Sequence, residues 1–98
     1  MFVSVADREV DKRILQQVSR RIGKDWRAVG RGLGCTDAKL DECEYNHRHE
    51  GLYEVIYRML VDWHERLGRN ARLAVLAQAL IDSKRPDVAC ELQDSLPR

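Results

Sequence analysis

Apolar residues recur at helical spacing along almost the whole chain, and nowhere alternate with polar ones over the length of a strand. Val10, Ile14, Val18 and Ile22 step by four. Leu52, Ile56, Met59, Leu60 and Trp63 form a single stripe, and Leu73, Leu76, Ala77 and Leu80 form another. Stop and start signals divide the pattern. Gly23, Gly34 and Gly68 suit helix ends, Thr36 and Asn70 suit N-terminal caps, and Pro86 suits a first helical position. The spacing predicts helices over about 6–21, 24–34, a third after Thr36 carrying Leu40 and Cys43, a fourth from Leu52 to Gly68, a fifth after Asn70, and a sixth from Pro86 carrying Ala89, Leu92 and Leu96. Helices this short with connections of a few residues imply an all-α, six-helix antiparallel bundle.

With 98 residues and no linker or low-complexity stretch, the chain reads as one domain over 1–98. A chain of that size buries roughly two thirds of its unfolded surface without a metal or disulfide. Three cysteines, Cys35, Cys43 and Cys90, are an odd number with no secretory signal beside them, and are read as reduced thiols of a cytoplasmic protein. No run reaches the roughly 18–20 apolar residues of a membrane span, so a soluble protein is expected.

Net charge is only +1, but it is unevenly spread. Residues 1–34 carry eight Lys/Arg against four Asp/Glu, whereas residues 35–65 carry three against eight. The change of sign falls beside the stretch Gly23-Lys24-Asp25-Trp26-Arg27-Ala28-Val29-Gly30-Arg31-Gly32-Leu33-Gly34. There Trp26, Val29 and Leu33 share one helix face, and Arg27 and Arg31 share another. Asp37, Asp41, Glu42 and Glu44 follow with Lys39 as the one opposing charge. Basic and acidic helices side by side suit electrostatic recognition of another protein. Gly30 and Gly32 within the basic helix each cost on the order of 1 kcal/mol relative to alanine, and either loosen it or admit a close neighbour.

Gly23-Lys24-Asp25-Trp26-Arg27, Arg31, Leu33, Asp37-Ala38-Lys39-Leu40-Asp41, Trp63, Gly68 and Ala71 resemble a death domain over about residues 8–96, most of all that of the Fas-associated adaptor. The resemblance implies a non-catalytic adaptor module without cofactor or metal. It would bind the death domains of receptors, adaptors or kinases, with possible self-oligomerisation, and nucleate an apoptotic or innate-immune signalling complex. It places Arg31, with Arg27 beside it, on one contact surface. Asp37, Asp41, Glu42 and Glu44, and more peripherally Glu50 and Glu54, fall on the opposing one. Trp26, Leu33, Leu40 and Trp63 fall at core positions. Because the two surfaces differ, contacts are expected to be head-to-tail and need not close.

The alternative is a helix-turn-helix DNA-binding domain using residues 25–46, with Gly34 in the turn. Its recognition helix would carry Asp37, Asp41, Glu42 and Glu44 into a groove lined with phosphates, which opposes binding. Cys43, His47 and His49 give C-x3-H-x-H without a fourth zinc ligand nearby; Cys43 is read as a core residue and the histidines as a polar loop. His64 is read as a surface residue, and Tyr45, Tyr53 and Tyr57 as packed or semi-exposed. No G-x-S-x-G, phosphate-cradling glycine loop or H-E-x-x-H motif is present.

Overall fold

The Asp11 carboxylate accepts from the Ile14 N–H at 3.0 Å, and so starts the first helix at Lys12, just after Val10. A computed structural model describes residues 8–95, with side-chain surroundings described as far as Leu92. Among the described residues there are six helices and no strand: α1 Lys12–Arg21, α2 Trp26–Gly32, α3 Asp37–His47, α4 Leu52–Leu67, α5 Leu73–Asp82 and α6 Pro86–Ser95. Single 3-10 turns at Gly23–Asp25, Arg48–Glu50 and Gly68–Asn70 precede α2, α4 and α5. The first helix starts later than the expected 6–21, because residues 8–11 are extended backbone that pairs with Ala71 and Leu73; Ala6 and Leu96 lie outside the described residues.

The stop signals act through backbone geometry. Gly34, at φ +92°, lets the Cys35 N–H reach back to the Gly30 carbonyl at 2.9 Å and closes α2. Lys84 does the same for α5 at φ +64°, with the Arg85 N–H on the Leu80 carbonyl at 2.8 Å. Thr36 caps α3 as expected, its hydroxyl accepting from the Lys39 N–H at 3.2 Å. Asn70 does not cap α5. It sits in the preceding turn, and the first N–H of α5, from Leu73, is taken by the Arg8 carbonyl at 2.7 Å. The Val10 N–H donates to the Ala71 carbonyl at 2.8 Å, so an isolated antiparallel bridge replaces a side-chain cap.

One core runs through the bundle. Ile22, Leu40, Ile56, Leu60, Trp63, Leu76 and Leu80 are fully buried, and Trp26 and Leu33 nearly so. Leu52 is the exception to the α4 stripe: it lies in the first turn and is 47% exposed, while Val55 takes the inward position one turn later. His64 is half-buried rather than superficial, with Nε2 2.7 Å from the Val10 carbonyl, which makes that nitrogen the protonated donor.

Two features beyond the apolar periodicity hold the helices together, one unforeseen and one among the two readings of the glycines in α2. Arg85, between α5 and α6, donates to the last carbonyls of α1, Arg21 and Ile22, at 3.0 Å each. It also pairs with Asp25 at 3.0 Å and Asp87 at 3.1 Å. The other feature is Gly30. A Cβ there would stand 2.7 Å from Leu40 Cδ2, and one at Gly32 would stand 3.2 Å from the Ala79 Cβ. The glycines let α2 press against α3 and α5 at once.

Gly30→Ala should therefore destabilise the fold by about 1 kcal/mol in urea unfolding, because overpacking at roughly 1–3 kcal/mol outweighs a helix-propensity gain of about 1. A stabilised variant would show that the contact is loose. Arg85→Ala should cost about 1–2 kcal/mol by the same measurement, since the part-buried Ile22 carbonyl and the more exposed Arg21 carbonyl lose their donor together with the Asp25 pair. Arg85→Lys should recover little of that, as an ammonium cannot reproduce the guanidinium fork. Full recovery would reduce Arg85 to a point charge.

Candidate functional site

α3 is attached to the bundle through few residues. Leu40 is buried on it and Cys43 packs partly against the core, its thiol donating to the Val55 carbonyl at 3.2 Å. Most of the rest of the helix is exposed, and Asp37, Asp41 and the half-buried Glu44 at i, i+4 and i+7 form one acidic row. α2 lies antiparallel beside it at the Gly30–Leu40 contact, and presents Arg27 and Arg31 one turn apart. The two rows meet. Arg31 Nε donates to Asp37 at 2.8 Å, Arg27 donates to Asp41 at 2.9 Å, and Arg27 also pairs with Glu44.

The expected donor and acceptor surfaces are thus one patch, in which each supplies the other's counter-ions. Arg27 is the more anchored arginine: its side chain is 30% exposed against 55% for Arg31, and its guanidinium lies 4.9 Å over the Trp26 ring. Its hydrogen bond to Glu44 raises its pKa first of all, with Asp41 adding to the effect and partial burial opposing it. The carboxylates at Asp37 and Asp41 are about 70% exposed. Ion pairs this wet contribute little to stability, about 0–1 kcal/mol each.

The other expected site residues lie apart from this ladder. Glu42 pairs with Lys39 at 3.4 Å and borders a shallow cleft between α3 and α4. Glu50 pairs with His47 at 2.8 Å, and that hydrogen bond holds its carboxyl below the usual range. Glu54 pairs with Arg58 at 2.7 Å along α4. The structure brings together Arg27, Arg31, Asp37, Asp41 and Glu44, and leaves Glu42, Glu50 and Glu54 in local pairs.

Tyr45, read from the sequence as packed or semi-exposed, stands well out from the helix instead. Tyr45 follows Glu44 on α3 and is 73% exposed, with the Arg48 guanidinium 5.8 Å from its ring centre. With Leu40 and Cys43 directed inward, positions 41, 45 and 48 must form an outward row, and that was the available signal.

The helix-turn-helix reading loses its basis in this geometry. The would-be recognition helix shows carboxylates to solvent, and the arginines that could meet phosphate are tied to them. Among the described residues no group of three or more His, Cys, Asp or Glu side chains is arranged to hold a metal ion, and no helix is long and apolar enough to cross a membrane.

Six antiparallel helices around a core that includes Trp26 and Trp63, with a charged α2/α3 face, define a protein-interaction fold, and residues 11–96 match the family described as Death domain. The chain belongs to that family. It is similar to the tumor necrosis factor receptor type 1-associated DEATH domain protein of Oncorhynchus mykiss, at 43% identity over 86% of this chain and 30% of the relative. It also resembles receptor-interacting serine/threonine-protein kinase 1 of Homo sapiens, at 35% identity over 80% of this chain and 12% of the kinase. A third relative is the p53-induced death domain-containing protein 1 of Mus musculus, at 38% identity over 81% of this chain and 9% of that protein. The chain spans less than a third of the length of each of these relatives. These matches establish the family without singling out the Fas-associated adaptor.

If the ladder serves recognition rather than stability, a double-mutant cycle on Arg31→Ala and Asp37→Ala should give a coupling below about 1 kcal/mol in urea unfolding. A coupling of several kcal/mol would make the pair a structural element.

Proposed function

We propose that this chain is a non-catalytic adaptor module that binds other death domains through charge-complementary contacts and nucleates a cytoplasmic apoptotic or innate-immune signalling assembly. What carries the reading is the α2/α3 ladder: five charged side chains in one exposed patch, on a chain of the Death domain family. Arg27 and Arg31 act as donors to the partner, and Asp37, Asp41, Glu42 and Glu44 as acceptors, with Glu50 and Glu54 at the margin. The domain occupies the full 1–98 stretch, and its partners are death domains of receptors, adaptors or kinases rather than nucleic acid.

The mechanism is an exchange of ion pairs. In the free domain each arginine is already satisfied by a carboxylate of the same chain. A partner therefore replaces or doubles existing pairs rather than meeting bare charge. The free-energy gain per contact is a difference between similar pairs, so a binary complex is weak. Repetition of contacts in an assembly then supplies avidity. Electrostatics in such an interface mainly sets orientation and association rate.

The test is biosensor binding of the purified chain to a panel of death domains, beginning with those of the tumor necrosis factor receptor type 1-associated protein and the receptor-interacting kinase. Arg31→Glu should weaken capture at least about tenfold, since a like charge then faces the acceptor surface, with the melting temperature within a few degrees of wild type. Capture by both proteins alike would move the interface away from α2. Lost capture with a collapsed melt would make Arg31 structural.

A further inference from the structure

We propose that Tyr45 is a phosphorylation site, and that its phosphate turns the α2/α3 patch from a nearly balanced surface into an acidic one. The site stands on its own geometry, whereas its effect on binding rests on the reading of this patch as the binding surface.

Access comes first. Between positions 41 and 54 no residue is buried, the longest such run among the described residues. Its packing against the core is limited to Cys43, whose thiol bonds to the Val55 carbonyl. A segment with few buried apolar contacts opens locally at low cost, so a kinase can draw the chain around Tyr45 into its cleft without unfolding the bundle. Tyr45 is 73% exposed. The other tyrosines are worse placed. Tyr53 is 37% exposed and stacks on Tyr57 with 6.0 Å between ring centres, and Tyr57 packs against the core. Asp41, Glu42 and Glu44 precede Tyr45 within one turn of helix, so the matching enzyme is a protein tyrosine kinase with a basic substrate groove.

In the transfer, the Tyr45 Oη bonds to the γ-phosphorus of ATP while the bond from that phosphorus to the β–γ bridging oxygen breaks. ADP leaves with the electron pair, and the phenolic proton passes to the kinase's catalytic carboxylate. The product carries an added charge of about −1.5 to −2 at neutral pH. A cation is already in place to receive it. Arg48 holds its guanidinium 5.8 Å from the Tyr45 ring centre and has no carboxylate partner among the described residues. It is therefore free to form a charge-assisted pair with the phosphate. Arg48 stands outside the ladder, whereas Glu44, next to Tyr45, is bound to Arg27 within it. Two arginines against three carboxylates give the ladder a charge of −1, which the modification takes to about −3. An acidic partner surface that would meet Arg27 and Arg31 is then repelled, while a basic one is still attracted.

The experiment treats the whole chain with ATP, magnesium and a purified tyrosine kinase domain that prefers acidic substrates, and locates the phosphate by tandem mass spectrometry. Tyr45 should be modified at least about tenfold faster than Tyr53 or Tyr57, because it is the most exposed and lies in no ring stack. Tyr45→Phe should remove most of the incorporation with an unchanged melt. Modification of Tyr53 or Tyr57 at an equal or greater rate would overturn the site, and so would a Tyr45 that stays unmodified. Phosphorus NMR of the phosphorylated chain then tests Arg48. The second pKa of the phosphate should rise by about half a unit in Arg48→Gln, since the dianion loses its counter-ion. An unmoved titration would overturn the pairing. Binding completes the test. Death domains whose capture falls with Arg31→Glu should be held at least about threefold more weakly by the phosphorylated chain. If Arg31→Glu weakens capture and the phosphate does not, the switch fails and the adaptor function stands. If neither weakens it, the reading of the patch as the binding surface fails as well.

Discussion

The closeness of α2 to α3 is the constraint on which the surface chemistry depends. With no side chain at position 30, Leu40 fills the gap that a Cβ would claim, and the helix backbones come near enough for short carboxylates to reach arginines across the groove. A wider separation would leave Asp37, with its single methylene, out of range of Arg31. Gly32 repeats the device against Ala79, fixing α2 from its other side. The helix is only seven residues long and could not hold its register by its own hydrogen bonds. Its position is set by what it touches.

That geometry divides labour between core and surface. Trp26 is buried and carries the cost of misplacement, while Arg27, the next residue, lies over its ring and points its charge outward. Large stabilisation from packing and small stabilisation from wet ion pairs meet within two residues. The core can therefore keep the charged rows in place while the rows stay cheap to rearrange. A recognition surface needs that combination, because pairs worth several kcal/mol within one chain would not be shared with another.

Much of this was legible in the sequence, for identifiable reasons. Helix number and the buried roles of Trp26, Leu33, Leu40 and Trp63 follow from apolar spacing and from glycine and threonine punctuation, which are local signals. The charged residues of α2 and α3 were also apparent, as was the alternative that Gly30 admits a neighbour. What periodicity could not give was contact between distant segments. Arg85 looks like any loop arginine until α1 is folded beside it. His64 looks superficial until the backbone at Val10 crosses it. Asn70 has the right chemistry for a cap, but the Arg8 carbonyl reaches the vacant N–H first. For the same reason the charge rows, separately visible, did not announce that they are each other's counter-ions.

The Arg85 clamp also bears on how the chain reaches this state. The final carbonyls of α1 are satisfied by a guanidinium 63 and 64 positions later in the chain. Helix α1 thus gains these last protein hydrogen bonds only once the α5–α6 turn, held by the left-handed Lys84, has formed and docked. Closing a loop of that length is entropically costly and is repaid only when both ends are ordered. The first and last helices of the bundle therefore consolidate together, as one cooperative unit, while α2, α3 and α4 between them can assemble from nearer contacts.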